Sequence, residues 1–133
     1  MGDTKAVRNP QRFSLNGRVK SFSYAIAGIA FMFRTQHNAW LHAAATLGVV
    51  ALALHFDVSG ADWRWLIAAM AMVWVAETIN TALEYVCDVV SPTFHQAVKH
   101  AKDIAAGGVL IAAAGAGVIG VLTLWPYAVW LHT

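Results

Sequence analysis

The fold class predicted for this chain is an all-α membrane protein: a helix lying in the membrane interface followed by three membrane-spanning helices. Three observations predict it. Of 133 residues, 59% are hydrophobic and 12% charged, about half the charged share of a typical soluble domain. The apolar residues gather into three stretches, about 39–56, 65–90 and 104–131, each long enough to cross a hydrocarbon core of about 30 Å with some tilt. The lysines and arginines fall on one side of the resulting topology.

The elements follow in chain order. Met1–Gln11 is polar and basic with no apolar core behind it, so residues 1–12 are expected to form a flexible cytoplasmic leader ahead of one domain, 13–133. Val19, Phe22, Ile26, Ile29 and Phe33 recur at steps of three and four, with Lys20, Ser21 and Tyr24 off that face. So striped and short an apolar run fits a helix in the cytoplasmic interface better than a fourth span. The first span holds His42 and His55 as its only ionisable groups. A loop at Asp57–Arg64 leads to the second span, and a longer polar loop, Ser91–Asp103, to the third. The third span has no Asp, Glu, Lys or Arg, and its Ala105, Gly108, Ala112, Gly115, Ala116 and Gly120 permit close approach of neighbouring helices. Three helices enclose little volume, so a homo-oligomer that completes each polar site with a neighbouring subunit is expected.

Arg8, Arg12, Arg18, Lys20 and Arg34 precede the first span and Lys99 and Lys102 lie in the second loop, whereas the first loop holds only Arg64. The positive-inside rule then places the N-terminus and the second loop in the cytoplasm. Trp63, Trp65, Trp125, Tyr127 and Trp130 fall at the outer ends, where an aromatic belt belongs. A net charge of +2 without a dense basic face argues against nucleic acid as a partner. The lone Cys87 rules out an intrachain disulfide and a cysteine-based metal site, and is expected to be inert core.

The most informative residues are the only two glutamates, Glu77 and Glu84, both inside the second apolar stretch. At 100° per residue, Glu77, Asn80, Glu84 and Asp88 fall at roughly 0°, −60°, −20° and +20°, one narrow face about 16 Å long running toward the cytoplasmic end. A carboxylate at bilayer depth costs about 2.5–3.5 kcal/mol on insertion scales, and such groups face a bundle interior where a partner, ion or substrate meets them. Thr93, Phe94, His95, Lys99, His100, Lys102 and Asp103 lie at the same membrane surface. Glu84, with Asp88, suits a hard divalent cation, because Mg²⁺ is commonly held by one or two carboxylates plus substrate phosphates. Lys102 suits phosphate oxygens as a point charge. The deeper Glu77 is placed to take a proton from a hydroxyl at headgroup level. Phosphoryl transfer from a nucleotide to a lipid alcohol follows as the expected reaction. Neither a Gly-x-x-x-x-Gly-Lys-[Ser/Thr] loop nor a kinase-type glycine loop is present, so a soluble nucleotide-binding fold is excluded.

The run Glu77-Thr-Ile-Asn80-Thr-Ala-Leu-Glu84-Tyr-Val-Cys-Asp88, then Phe94-His95 and Ala101-Lys102-Asp103-Ile-Ala-Ala-Gly-Gly-Val-Leu-Ile111, resembles the signature of the small prokaryotic membrane kinases of diacylglycerol and undecaprenol, over about Lys20–Leu122. The resemblance implies a homotrimer of three-span subunits with an interfacial N-terminal helix, using Mg²⁺ and ATP. It implies Glu77 as general base, with Asn80 beside it in the catalytic set, and Glu84 as metal and ATP ligand. Asn80 and Asp88 shape the site, and Tyr24, Thr93, Phe94, His95, Lys102 and Asp103 match nucleotide contacts. Gln36 stands where the family often has a second metal-binding glutamate: its amide oxygen still ligates, with one negative charge fewer. Gly17 stands where an arginine is usual, with Arg18 one place away. Asn38-Ala-Trp-Leu-His42 and Asn80-Thr-Ala-Leu-Glu-Tyr85 look closer to the undecaprenol branch.

A rival expectation is a small proton-coupled transporter or channel subunit, which also buries glutamates. Such a protein needs polar groups leading to both membrane faces, and Trp65–Ala76 carries no charge. His37 and His42, and likewise His95 and His100, stand five apart on different helix faces, unsuited to a shared zinc ion. All but His95 are expected to be plain interfacial polar residues.

Overall fold

The computed structural model describes residues 14–130, and the expected leader, 1–12, lies outside them. Four helices follow in order: α1, Leu15–Thr35; α2, His37–His55; α3, Gly60–Val90; and α4, Gln96–Trp130. Three of them are long and apolar enough to cross a membrane: His37–His55, Gly60–Val90 and Gln96–Val129. The all-helical, three-span class is as the sequence predicts.

Each helix starts and stops for local reasons. Ser14 caps α1, its hydroxyl accepting from the Gly17 amide at 3.3 Å, which satisfies one of the free N–H groups of the first turn. Gln36 is the single extended residue between α1 and α2, at φ −111° and ψ 114°. The indole of Trp40 reaches back across that break to the Phe33 carbonyl at 2.9 Å. α2 ends in a Schellman motif: the Asp57 amide donates to the Leu54 carbonyl at 3.3 Å and the Val58 amide to the Ala53 carbonyl at 3.2 Å. Asp57 takes the left-handed position, φ 47°, usually given to glycine or asparagine. Val58 and Ala53, the apolar pair that accompanies this motif, are both buried and join Leu66 in the core cluster at this end of the molecule.

Both connections are shorter than the sequence suggests. Ser59 caps α3 and accepts from the Asp62 amide at 3.2 Å, so residues 60–64 wind into the helix instead of staying in a loop. At the other end the Ala97 amide donates to His95 Nδ1 at 3.2 Å, and the Lys99–Asp103 pair, four residues apart, supports the first turns of α4. Residues 96–103 are therefore helical. At 1.5 Å per residue α3 and α4 are about 46 and 52 Å long, well beyond the hydrocarbon thickness, so their polar ends project.

α3 packs chiefly on α4. Leu66, Ala69 and Val73 of α3 and Val109 and Ala112 of α4 are buried. The small-residue stripe of α4 is only partly used within the chain. A Cβ at Gly115 would meet Met72 Cε at an ordinary 3.6 Å, whereas one at Gly108 or Gly120 would meet nothing within 4 Å. Of the apolar face expected for α1, Val19, Phe22, Ile26 and Ile29 are exposed, unpacked by the rest of the chain.

The aromatics expected in a membrane belt divide. Trp65 and Trp125 are exposed, as belt residues are. Tyr127 instead bridges α4 to the start of α3: its hydroxyl donates to Asp62 Oδ2 and accepts from the Ser59 amide at 3.1 Å. Trp63 packs against the core cluster.

Candidate active site

The polar stripe of α3 is a gradient of burial. Glu77 is fully buried, Asn80 and Thr81 nearly so, Glu84 is half-buried and Asp88 exposed. Glu77 shares its face of α3 with the buried Val73 and Ala69, one and two turns earlier. The stripe thus runs from the chain interior to one end of the bundle.

At its middle, α3 and the break between α1 and α2 meet on one carboxylate. Glu84 Oε1 accepts from Asn80 Nδ2 at 3.2 Å and Oε2 accepts from Gln36 Nε2 at 3.2 Å. The extended backbone at Gln36, which separates α1 from α2, aims that side chain at α3. Phe31 of α1 stacks at a tilt on Tyr85, with ring centroids 5.1 Å apart, and Thr78 Oγ1 lies 3.9 Å from Met32 Sδ. These contacts fix the end of α1 against the stripe. Farther out, Lys102 of α4 pairs with Asp88, an ion pair across the α3–α4 turn.

Glu77 sits differently. Neither of its carboxylate oxygens has a hydrogen-bond partner among the described residues, and Asn80 Oδ1 and Thr81 Oγ1 are likewise buried without one. The nearest opposing ionisable group is His42 of α2, its Nε2 3.7 Å from Glu77 Oε2. These four atoms fall within five residues of one helix, and such atoms cost about 1–3 kcal/mol each when unsatisfied.

Of the residues expected at a site, Gln36, Asn80 and Glu84 come together, Asp88 joins Lys102, and Glu77 lies one turn deeper. Tyr24 and Phe94 are exposed. Thr93 accepts from the Ser91 hydroxyl through its carbonyl at 2.9 Å, His95 closes the start of α4, and Asp103 pairs with Lys99. Among the described residues no hydrogen bond or ion pair joins Tyr24, Thr93, Phe94, His95 or Asp103 to the stripe.

No group of three or more His, Cys, Asp or Glu side chains forms a metal cage among the described residues. What is present suits a cation that arrives with phosphate ligands of its own: one carboxylate, Glu84, the unpartnered Asn80 oxygen, and the Gln36 amide, whose oxygen becomes a ligand when the amide turns over. An apolar groove of about 580 Å³ runs from His42 and Thr46 past Val73 and Leu66 to Phe56 and Trp125. His42, expected as a plain interfacial polar residue, stands against the deep end of the stripe.

Residues 23–124 match the family described as prokaryotic diacylglycerol kinase. A diacylglycerol kinase of Synechocystis is 37% identical over 107 residues, which cover 80% of this chain and 61% of that protein. The chain therefore spans under two thirds of that relative's length. An undecaprenol kinase of Bacillus subtilis is 34% identical over 124 residues, 93% of this chain and 98% of that protein. The diacylglycerol kinase of Escherichia coli K12 is 28% identical over 118 residues, 84% of this chain and 93% of that protein. With its three spans, and with the glutamate stripe inside the matched segment, this chain belongs to the prokaryotic diacylglycerol kinase family.

Proposed function

We propose that this member of a family of bacterial membrane lipid kinases transfers the γ-phosphate of ATP to the hydroxyl of a lipid alcohol, undecaprenol or diacylglycerol, at the cytoplasmic face of the membrane. The observation that carries this reading is the graded stripe of α3: Glu77, buried and without a hydrogen-bond partner among the described residues, at its deep end, and Glu84 and Asp88, the latter paired with Lys102 of α4, leading out to one surface. A hydroxyl at headgroup depth reaches Glu77, and a water-borne nucleotide reaches the outer part of the stripe. Phosphoryl transfer asks the protein chiefly to position groups and neutralise charge, and this division of depth does the positioning.

In this reading Glu77 accepts the hydroxyl proton and Asn80, one turn along, orients the reacting group. Glu84, with the Gln36 amide oxygen, holds Mg²⁺ carried by ATP. When bound, that ion neutralises phosphate charge. Lys102, released from or shared with Asp88, meets phosphate oxygens. Tyr24, Thr93, Phe94, His95 and Asp103 line the nucleotide side of the same end. The N-terminus and the α3–α4 turn face the cytoplasm, α1 lies in the interface, and three copies assemble so that the exposed face of α1 and the open glycines of α4 meet neighbours. The absence of charge from Trp65–Ala76 favours a site open to one side over a transport path.

Two variants test the assignment of roles. Glu77→Gln lowers turnover by a factor of about 10²–10⁴ and leaves nucleotide binding largely intact. Glu84→Gln instead weakens Mg-ATP binding. Equal, mild losses at both positions would show that neither role is right.

A further inference from the structure

Glu77 has a polar neighbour that a base in this position needs. His42 Nε2 lies 3.7 Å from Glu77 Oε2, and the two side chains are 16% and 1% exposed. The separation is just beyond a hydrogen bond, as catalytic pairs often are before substrate arrives. His42 is held there by a second cross-helix link. Its ring meets the edge of Trp74, with centroids 6.3 Å apart at 71°, and the Trp74 indole donates to Thr46 Oγ1 at 3.1 Å. His42 and Thr46, four apart, share a face of α2, and Trp74 and Glu77, three apart, share a face of α3. One pair of links therefore sets the other.

The rest of the surroundings offers Glu77 nothing comparable. α1 presents Met32 here, α4 carries no Asp, Glu, Lys, Arg or His between Ile104 and Trp130, and Glu84 lies on the same helix about two turns on, already bonded to Asn80 and Gln36. A neutral imidazole is both a proton acceptor and, through its other nitrogen, a donor.

We propose that His42 is the positioning residue of Glu77 and the acceptor of its proton, an inference that rests on the lipid-kinase reading above. Glu77 takes the hydroxyl proton as the lipid oxygen bonds to the γ-phosphorus and the bond from that phosphorus to the β,γ-bridging oxygen breaks, releasing ADP. The proton then passes from Glu77 Oε2 to His42 Nε2 and on to water as products leave, restoring the Glu77 carboxylate. Per turnover one lipid alcohol and one ATP become one phosphorylated lipid, one ADP and one proton. His42 does not touch the reacting atoms; it fixes the carboxylate and empties it.

The test is a double-mutant cycle on the full chain in mixed micelles, with undecaprenol as acceptor and ADP release as the readout. His42→Gln and His42→Asn are each made in the wild-type and Glu77→Gln backgrounds; the two amides differ in length and neither accepts a proton at neutral pH. In the wild-type background kcat falls about tenfold or more, while KM for Mg-ATP and for the lipid stays within about twofold. In the Glu77→Gln background the same changes add nothing, because residues that act as a unit are not additive. An equal loss of kcat in both backgrounds, or a loss expressed in KM, would reduce His42 to a structural residue and overturn the inference alone. A wild-type protein that releases no ADP in response to lipid overturns the kinase reading and this inference with it.

Discussion

Replacing Gln36 by glutamate probes the metal shell through one atom pair. In the structure the Gln36 amide donates to Glu84 Oε2 at 3.2 Å, so Gln36→Glu exchanges a hydrogen bond for two facing carboxylates. At about 4 Å their repulsion is about 1 kcal/mol in bulk water and about 4 kcal/mol at the effective dielectric constant typical of a protein surface. Glu84 is half-buried, which places the cost between these limits. A divalent cation removes that repulsion and gains a charged ligand. Every 1.4 kcal/mol so recovered is a factor of about ten in affinity, so the concentration of free Mg²⁺ giving half-maximal activity drops by about tenfold. The assay is initial ADP release at saturating ATP and fixed lipid across a Mg²⁺ titration, paired with the detergent-denaturation midpoint with and without Mg²⁺. The midpoint of Gln36→Glu falls below wild type without the ion and recovers with it. An unchanged titration together with an unchanged midpoint would place Gln36 outside the metal shell.

Two further outcomes are expected. In a Cys87→Ala background, Ala61→Cys at the start of α3 is labelled by an impermeant thiol reagent in intact cells and Gln96→Cys at the start of α4 is not; the reverse pattern would invert the proposed orientation and move the site to the other face. Tyr127→Phe removes the hydroxyl that donates to Asp62 and accepts from the Ser59 amide. It costs about 1–2 kcal/mol of stability, read as a lower denaturation midpoint with kcat unchanged, and an equal loss of kcat would show that the outer clasp reaches the site.

Much of this fold was legible because membrane helices carry their own signals. Apolar length marks the spans, and two glutamates on one helical face within an apolar stretch mark α3 as the helix of the proposed site. What was not legible depends on contacts between helices. The Asp62–Tyr127 clasp joins residues 65 apart in the chain, and Tyr127 alone reads as one more belt aromatic. The short connections follow from caps: Ser59 with Asp62 is a local N-terminus signal, and His95 a weaker one. Gln36 was placed by family resemblance, and its bond to Glu84 depends on one extended residue that no periodicity shows. His42 reads in the sequence as a plain interfacial polar residue that makes no metal pair with His37. Its partner is on another helix, 35 positions along, and the one available signal was the rule that already picked out Glu77: an ionisable side chain within an apolar span needs a reason.

The measurement that tests the account most directly is transfer of label from γ-labelled ATP to lipid in mixed micelles, with undecaprenol and diacylglycerol as acceptors and Glu77→Gln beside wild type. Apolar contact discriminates weakly between a polyprenol and a two-chain glycerolipid, so wild type is expected to label both, with undecaprenol preferred, and Glu77→Gln to label them at a rate lower by about 10²–10⁴. A kcat/KM ratio favouring diacylglycerol tenfold or more would reject the preference and leave the kinase standing. Label absent from both lipids, or appearing only as free phosphate, would contradict the account itself.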